Sequence, residues 1–164
     1  MRYFKILIVL CIVFSCKSSK TGLPAMIDCP DGGECDVKVM KNSMLNLKSD
    51  SIGEIYPEVT EEEGWQVIEV TFSKKAPENT VDGQYSEIVY LQVPMSFKDI
   101  QSSNKSLQNQ KVIFGKFCKC PEAGYEKVIS GDLELVNSKG SILLNLTFDT
   151  EKEKELEKIQ AELN

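Results

Sequence analysis

The chain has 164 residues, 19 basic against 25 acidic, a formal net charge of −6 and no histidine. That composition excludes Ser-His-Asp and Cys-His nucleophile pairs and histidine-based zinc, haem or copper sites. An acidic surface repels phosphodiester backbones, so no nucleic-acid partner is expected, and no motif calls for a cofactor.

In chain order, Arg2 and Lys5 form a short basic stretch before the apolar run Ile6–Phe14. The run is too short to cross a hydrocarbon core of roughly 30 Å as a helix, but it suits the apolar region of a secretory signal. Val13-Phe14-Ser15-Cys16 then resembles the lipobox of bacterial lipoproteins. Phe14 departs from that pattern, which favours a small residue there, and Val13 is a mild change. Cys11 fits worse because bulky Leu10 precedes it.

The resemblance covers about residues 1–20. It implies a signal peptide over 1–15, cleavage before Cys16 and attachment of fatty chains, such as palmitate, to the Cys16 thiol. The chain would then be held on a membrane of the bacterial envelope. Lys17 and Lys20 occupy the region where acids direct surface display in some two-membrane bacteria, and no Asp follows Cys16. Both features lean toward the outer membrane, facing the periplasm. Taking Arg2 and Lys5 from the 19 basic residues leaves 17 against 25 acids, a net charge of −8 and no arginine. The mature chain therefore has no bidentate phosphate clamp.

Residues 16–25 read as the lipidated cysteine and a polar tether, and 26–164 as one domain long enough to bury a core. Cys29, Cys35, Cys118 and Cys120 remain for disulfides, which an exported chain favours. An extended Cys118-Lys119-Cys120 segment would hold its Cα atoms about 6.5–7 Å apart, at the limit for a bridge. The spacing therefore favours two long-range bridges from Cys29 and Cys35 to Cys118 and Cys120, in either order. The alternatives are local pairs, Cys29–Cys35 with Cys118–Cys120, and thiolate metal ligation or free thiols.

Period-two alternation predicts strands over 36–41 and 43–48, with a turn or bulge at Asn42-Ser43. Glu54-Ile55-Tyr56 before Pro57 reads as an edge strand or loop, and Glu61–Gly64 as a charged loop. Strands follow at 65–73 and 86–93, separated by a long loop over 74–83. Apolar residues on both faces place the second of these strands centrally. Residues 95–110 read as irregular, with one helical turn near 96–101. Further strands are expected at 111–118 and 124–129, and a hairpin pairs 131–136 with 141–149.

The period then changes. Thr150–Glu153 resembles a capping box, and Leu156, Ile159 and Leu163 form an apolar stripe, so a helix is expected over 150–163. The fold class is mainly β: an antiparallel sandwich or curled, barrel-like sheet with one C-terminal α-helix.

Carboxylates are the one plentiful catalytic type. Asp82, Glu87, Asp132 and Glu134 are candidates for an acid/base pair, each with a plainer reading as a turn or wet-face residue. Asp28, Asp31, Glu34 and Asp36 crowd one loop but follow no calcium-loop pattern. Trp65 reads as core, and Tyr85, Tyr90 and Tyr125 as sheet packing or an aromatic patch. The expectation is a lipid-anchored, non-catalytic binding or structural domain that meets an envelope protein. The alternatives are an acidic binder or inhibitor of a basic cell-wall enzyme, or a thiolate metal carrier.

Overall fold

The computed structural model describes residues 25–163 other than 77, 81, 82 and 139; the side chain of Ile27 is also left undescribed. The signal run, Cys16, the tether to residue 24 and Asp82 lie outside the described residues. Ten strands form two antiparallel five-stranded sheets, as the alternation requires. They are β1 Ala25–Asp28, β2 Glu34–Ser49, β3 Ile55–Lys74, β4 Tyr85–Pro94, β5 Asp99–Ser103, β6 Ile113–Phe117, β7 Gly124–Lys127, β8 Ser130–Ser138, β9 Ser141–Asp149 and β10 Lys158–Leu163. The first sheet has the order β1-β10-β9-β8-β5, the second β2-β3-β4-β6-β7.

The inner faces interdigitate as in a sandwich. Leu133 and Leu135, Leu144, Leu146 and Phe148, and Ile159, Ala161 and Leu163 come from the first sheet. Ile68, Val70 and Phe72, Val89, Leu91 and Val93, and Phe114 come from the second. β4 lies at the centre of its sheet, which explains apolar residues on both its faces.

Three elements depart from the sequence reading. The expected C-terminal helix over 150–163 is absent: 150–157 is a connection without regular structure, and β10 pairs β9 from Lys158↔Thr147 to Leu163↔Ile142. Ile159, Ala161 and Leu163 share the buried face at period two, while Leu156 is a separate buried anchor in the connection. The open edge of β9 and the core beneath it outweigh the helix propensity of a Glu/Lys-rich segment. Second, the stretch read as irregular contains β5 and then a 3-10 helix, Asn104–Gln110. The helix puts Leu107 into the core, and Lys111 ends it in the left-handed region at φ 49°.

Third, 55–64 is the first half of β3: the strand alternative holds from Ile55, and Glu61–Gly64 is not a loop. β2 and β3 form one long hairpin, with a register shift between Lys41 and Ser43. There Asn42 (φ 51°) and Gly64 (φ 85°) take left-handed backbone, which glycine and asparagine tolerate best.

Candidate functional site

Beyond that shift the hairpin folds back over the outer face of its own sheet. The distal half, about residues 43–61, pairs only with itself, because β4 accompanies β3 no further than Trp65↔Pro94. Leu45 is fully buried against Val67 and Ile113 of the underlying sheet, with Met40, Leu47, Tyr90 and Tyr125 around them. This small second core lies outside the sandwich and holds the arm down by apolar burial.

Polar ties fix its position. Gln92, 6% exposed, accepts the Leu45 N–H at 2.8 Å and the Lys111 ammonium at 3.2 Å, and the same ammonium donates to the Leu45 carbonyl at 2.5 Å. Removing a buried acceptor strands its donors. Gln92→Ala should therefore lower stability by about 2 kcal/mol. Amide exchange over residues 43–61 should also quicken more than exchange in β8 and β9. Equal acceleration in both regions would show that Gln92 supports the whole fold and not the arm.

The arm's free face carries exposed Tyr56, and its tip carries Ile52, 82% exposed; Val59 is exposed on the other face. Between Lys41 and Glu63 the arm has two lysines, Lys41 and Lys48, against six acids: Asp50, Glu54, Glu58, Glu61, Glu62 and Glu63. Its local charge of −4 is half of that expected for the mature chain. Exposed apolar side chains and an excess of acids therefore share one element.

Beside the arm, Tyr90, Tyr125 and Phe117 form an aromatic row. Phe117 and Tyr125 meet edge-on at 5.2 Å, and Tyr90 and Tyr125 are 6.5 Å apart. Gly115 makes room, since a Cβ there would lie 2.5 Å from the Tyr125 ring. Burial pushes the Tyr90 hydroxyl above its usual range, and its hydrogen bond to Glu69 adds to the shift. Tyr125 is raised by burial and then by the Glu69 charge. Tyr85, on the other face of the sheet, is raised by burial and by its hydrogen bond to Glu87.

A raised tyrosine pKa leaves stability intact below about pH 10, where unfolded tyrosines still hold their protons. Stability falls as pH climbs from there through the folded values, because the unfolded chain ionises first. In an alkaline titration followed by tyrosinate absorbance, Tyr85, Tyr90 and Tyr125 should ionise only as the chain unfolds. Smooth ionisation of all of them in the folded protein would contradict this.

The cysteines are joined locally, Cys29–Cys35 and Cys118–Cys120, and not across the fold. Two facts overturn the long-range expectation. Cys35 sits in β2, whereas Cys118 and Cys120 follow β6, three strand spacings away, roughly 14 Å. That is about twice the reach of a disulfide. Residues 118–120 are also a bend, not extended chain, so their Cα atoms come to 5.2 Å. Cys29–Cys35, with Cα atoms 5.9 Å apart, staples the end of β1 in one sheet to β2 in the other. With both pairs joined, the thiolates of a metal carrier are not present in this state.

Among the described candidates, buried Glu87 lies apart from Asp132 and Glu134. Glu87 is fully buried on the inner face of β4 and accepts N–H bonds from Glu155 (2.6 Å) and Leu156 (2.7 Å) and the Tyr85 hydroxyl. Asp132 and Glu134 stand exposed on the outer face of β8, in another layer. They line a shallow depression of about 430 Å³ with Gln101, Asn145 and Thr147. Cross-strand bonds there, Gln101 to Glu134 at 3.4 Å and Gln160 to Asn145 at 3.0 Å, suit a wet sheet face.

Among the described residues no group of three His, Cys, Asp or Glu side chains could hold a metal ion, and Asp28, Asp31, Glu34 and Asp36 do not converge into one. Trp65 is half-buried opposite Pro94 and is not in either core. Sequence reasoning missed the arm. Its signal was the alternation of Leu45, Leu47, Pro57 and Val59 on both sides of the Asp50–Glu54 turn. Among the described residues no helix is long and apolar enough to cross a membrane. Comparison with known proteins finds no match: no family model, no curated protein and no solved structure matches this chain.

Proposed function

We propose that this chain is a lipid-anchored binding domain of the bacterial envelope, and that the folded-back β2–β3 arm is what it presents to a protein partner. The anchor is the Cys16 lipid suggested by the lipobox resemblance, on the outer membrane facing the periplasm. The role is non-catalytic. The observation that carries the reading is the arm: a strand pair held over the sheet by its own small core, with Ile52 at its tip and Tyr56 on its free face exposed, and an excess of acids along it. Exposed aromatic and aliphatic groups within a charged rim are the anatomy of an association surface. The sign of the rim selects a basic partner, such as a cationic cell-wall enzyme, and makes the encounter salt-dependent.

Crosslinking in intact cells followed by capture tests the reading. One basic envelope protein should be enriched. Ile52→Asp or Tyr56→Asp should reduce its capture by at least about tenfold, the size of a loss of 1.4 kcal/mol. Both positions are exposed, so the variants should melt like the parent. Capture that ignores both substitutions and moderate salt would reject the arm as the surface. Cys16→Ala should release the protein from membranes, and retention there would reject the anchor.

A further inference from the structure

Cys118 and Cys120 close a disulfide ring around one residue, Lys119, directly after β6. The bridge adds little to the fold. β6 and β7 are already paired from Ile113↔Lys127 to Lys116↔Gly124, and the connection is tightened by the Ala123 N–H donating to the Cys120 carbonyl at 3.3 Å. A loop so short removes little entropy from the unfolded chain, and much less than a bridge between distant segments. Cys29–Cys35, six residues apart in sequence, also closes a short loop, but it joins two sheets.

Both cysteines of the short pair are partly exposed and the residue between them, Lys119, is exposed. Lys119, a cationic residue, lies between them in sequence. Positive charge beside a cysteine favours its thiolate, the better leaving group in exchange. Phe117, which packs edge-on against Tyr125, immediately precedes Cys118 in sequence. A bridge that is partly exposed, topologically dispensable and closed around a lysine has the character of a reactive bridge and not a structural one.

We propose that Cys118–Cys120 is a reversible two-electron redox couple that exchanges with the dithiol of a protein or peptide substrate. A substrate thiolate attacks one sulfur. The S–S bond breaks as a mixed disulfide forms, and the other cysteine leaves as a thiolate. The second substrate thiolate then attacks the mixed disulfide, closes the substrate's own S–S bond and releases the first cysteine. Both substrate protons end on Cys118 and Cys120. The substrate loses two electrons and the pair gains them. This activity stands apart from the arm and the anchor.

The test uses the full-length chain purified without reductant. It is equilibrated in glutathione buffers of stepped ratio, trapped with a maleimide and mapped by mass. Cys118–Cys120 should open at a reduced-to-oxidised ratio at least about tenfold lower than Cys29–Cys35, with circular dichroism unchanged. A short synthetic peptide with two cysteines should be oxidised by one equivalent of the protein. Cys118→Ser/Cys120→Ser should lose that oxidation while melting like the parent.

Four outcomes would overturn the proposal: free thiols at 118 and 120 in the unreduced protein, simultaneous opening of both pairs, earlier opening of Cys29–Cys35, or a double variant that melts well below the parent. Peptide oxidation that persists in the double variant would overturn it as well.

Discussion

Glu87→Ala should lower the free energy of unfolding by about 4 kcal/mol, the largest loss expected from a single polar side chain in this protein. The carboxylate is fully buried, yet both oxygens are used. One accepts the Glu155 N–H and the Tyr85 hydroxyl, the other the Leu156 N–H. Because Glu87 is on β4 and residues 155–156 lead into β10, these bonds fasten the entry of one sheet's strand to the centre of the other.

Alanine leaves two backbone donors without acceptors and loosens Leu156, which is fully buried. Glu87→Gln keeps the shape but offers only one acceptor oxygen, so about half the loss is expected. Urea unfolding measures both, and exchange of the 155 and 156 amides reports on the fastening itself. A loss under about 1 kcal/mol for alanine would mean that water replaces the carboxylate at no great cost.

Gly131→Ala should cost about 3–5 kcal/mol, through backbone collision and not through lost contacts. Gly131 has φ 131° and pairs with Phe148 across β8 and β9. A Cβ there would stand 2.6 Å from the Phe148 Cα and closer still to the Thr147 carbonyl oxygen. Those atoms belong to the neighbouring strand, so the β8–β9 ladder itself would have to part. Gly64→Ala supplies the control. Its φ of 85° is also left-handed, but nothing lies within 4 Å of the added carbon. It should cost only about 1 kcal/mol of backbone strain. Thermal melts of the two variants should differ by several degrees; equal melts would remove the collision as the cause.

The mainly β class and the central place of β4 were legible because alternation is local: Ile68, Val70 and Phe72, or Leu144, Leu146 and Phe148, mark a buried face without knowledge of its partner. The final strand was not. Glu155–Leu163 fits a helical stripe through Leu156, Ile159 and Leu163, and a strand through Ile159, Ala161 and Leu163. The unpaired edge of β9, which no local pattern reveals, decides between them. The arm was hidden for a related reason. Glu61–Gly64 looks like a solvated loop by composition, yet Glu61 pairs with Ser43 of β2 and the Gly64 carbonyl accepts the Met95 N–H, and the fold-back falls at the register shift that Asn42 and Gly64 flank. The cysteine pairing turned on the conformation of three residues: extended chain keeps Cys118 and Cys120 too far apart, and a bend brings them together.

β1 hydrogen-bonds to β10, so the earliest described strand waits for the latest one. During synthesis Ala25–Asp28 leaves the ribosome with no partner in existence, and it stays unmatched until almost every later residue has emerged. Such a topology makes assembly depend on late, distant encounters and slows it. Any factor that shields the nascent chain would have to hold on until Lys158–Leu163 arrives. A polypeptide stopped before Lys158 would retain a complete second sheet beside a first sheet with β9 bare, which is a ready template for self-association.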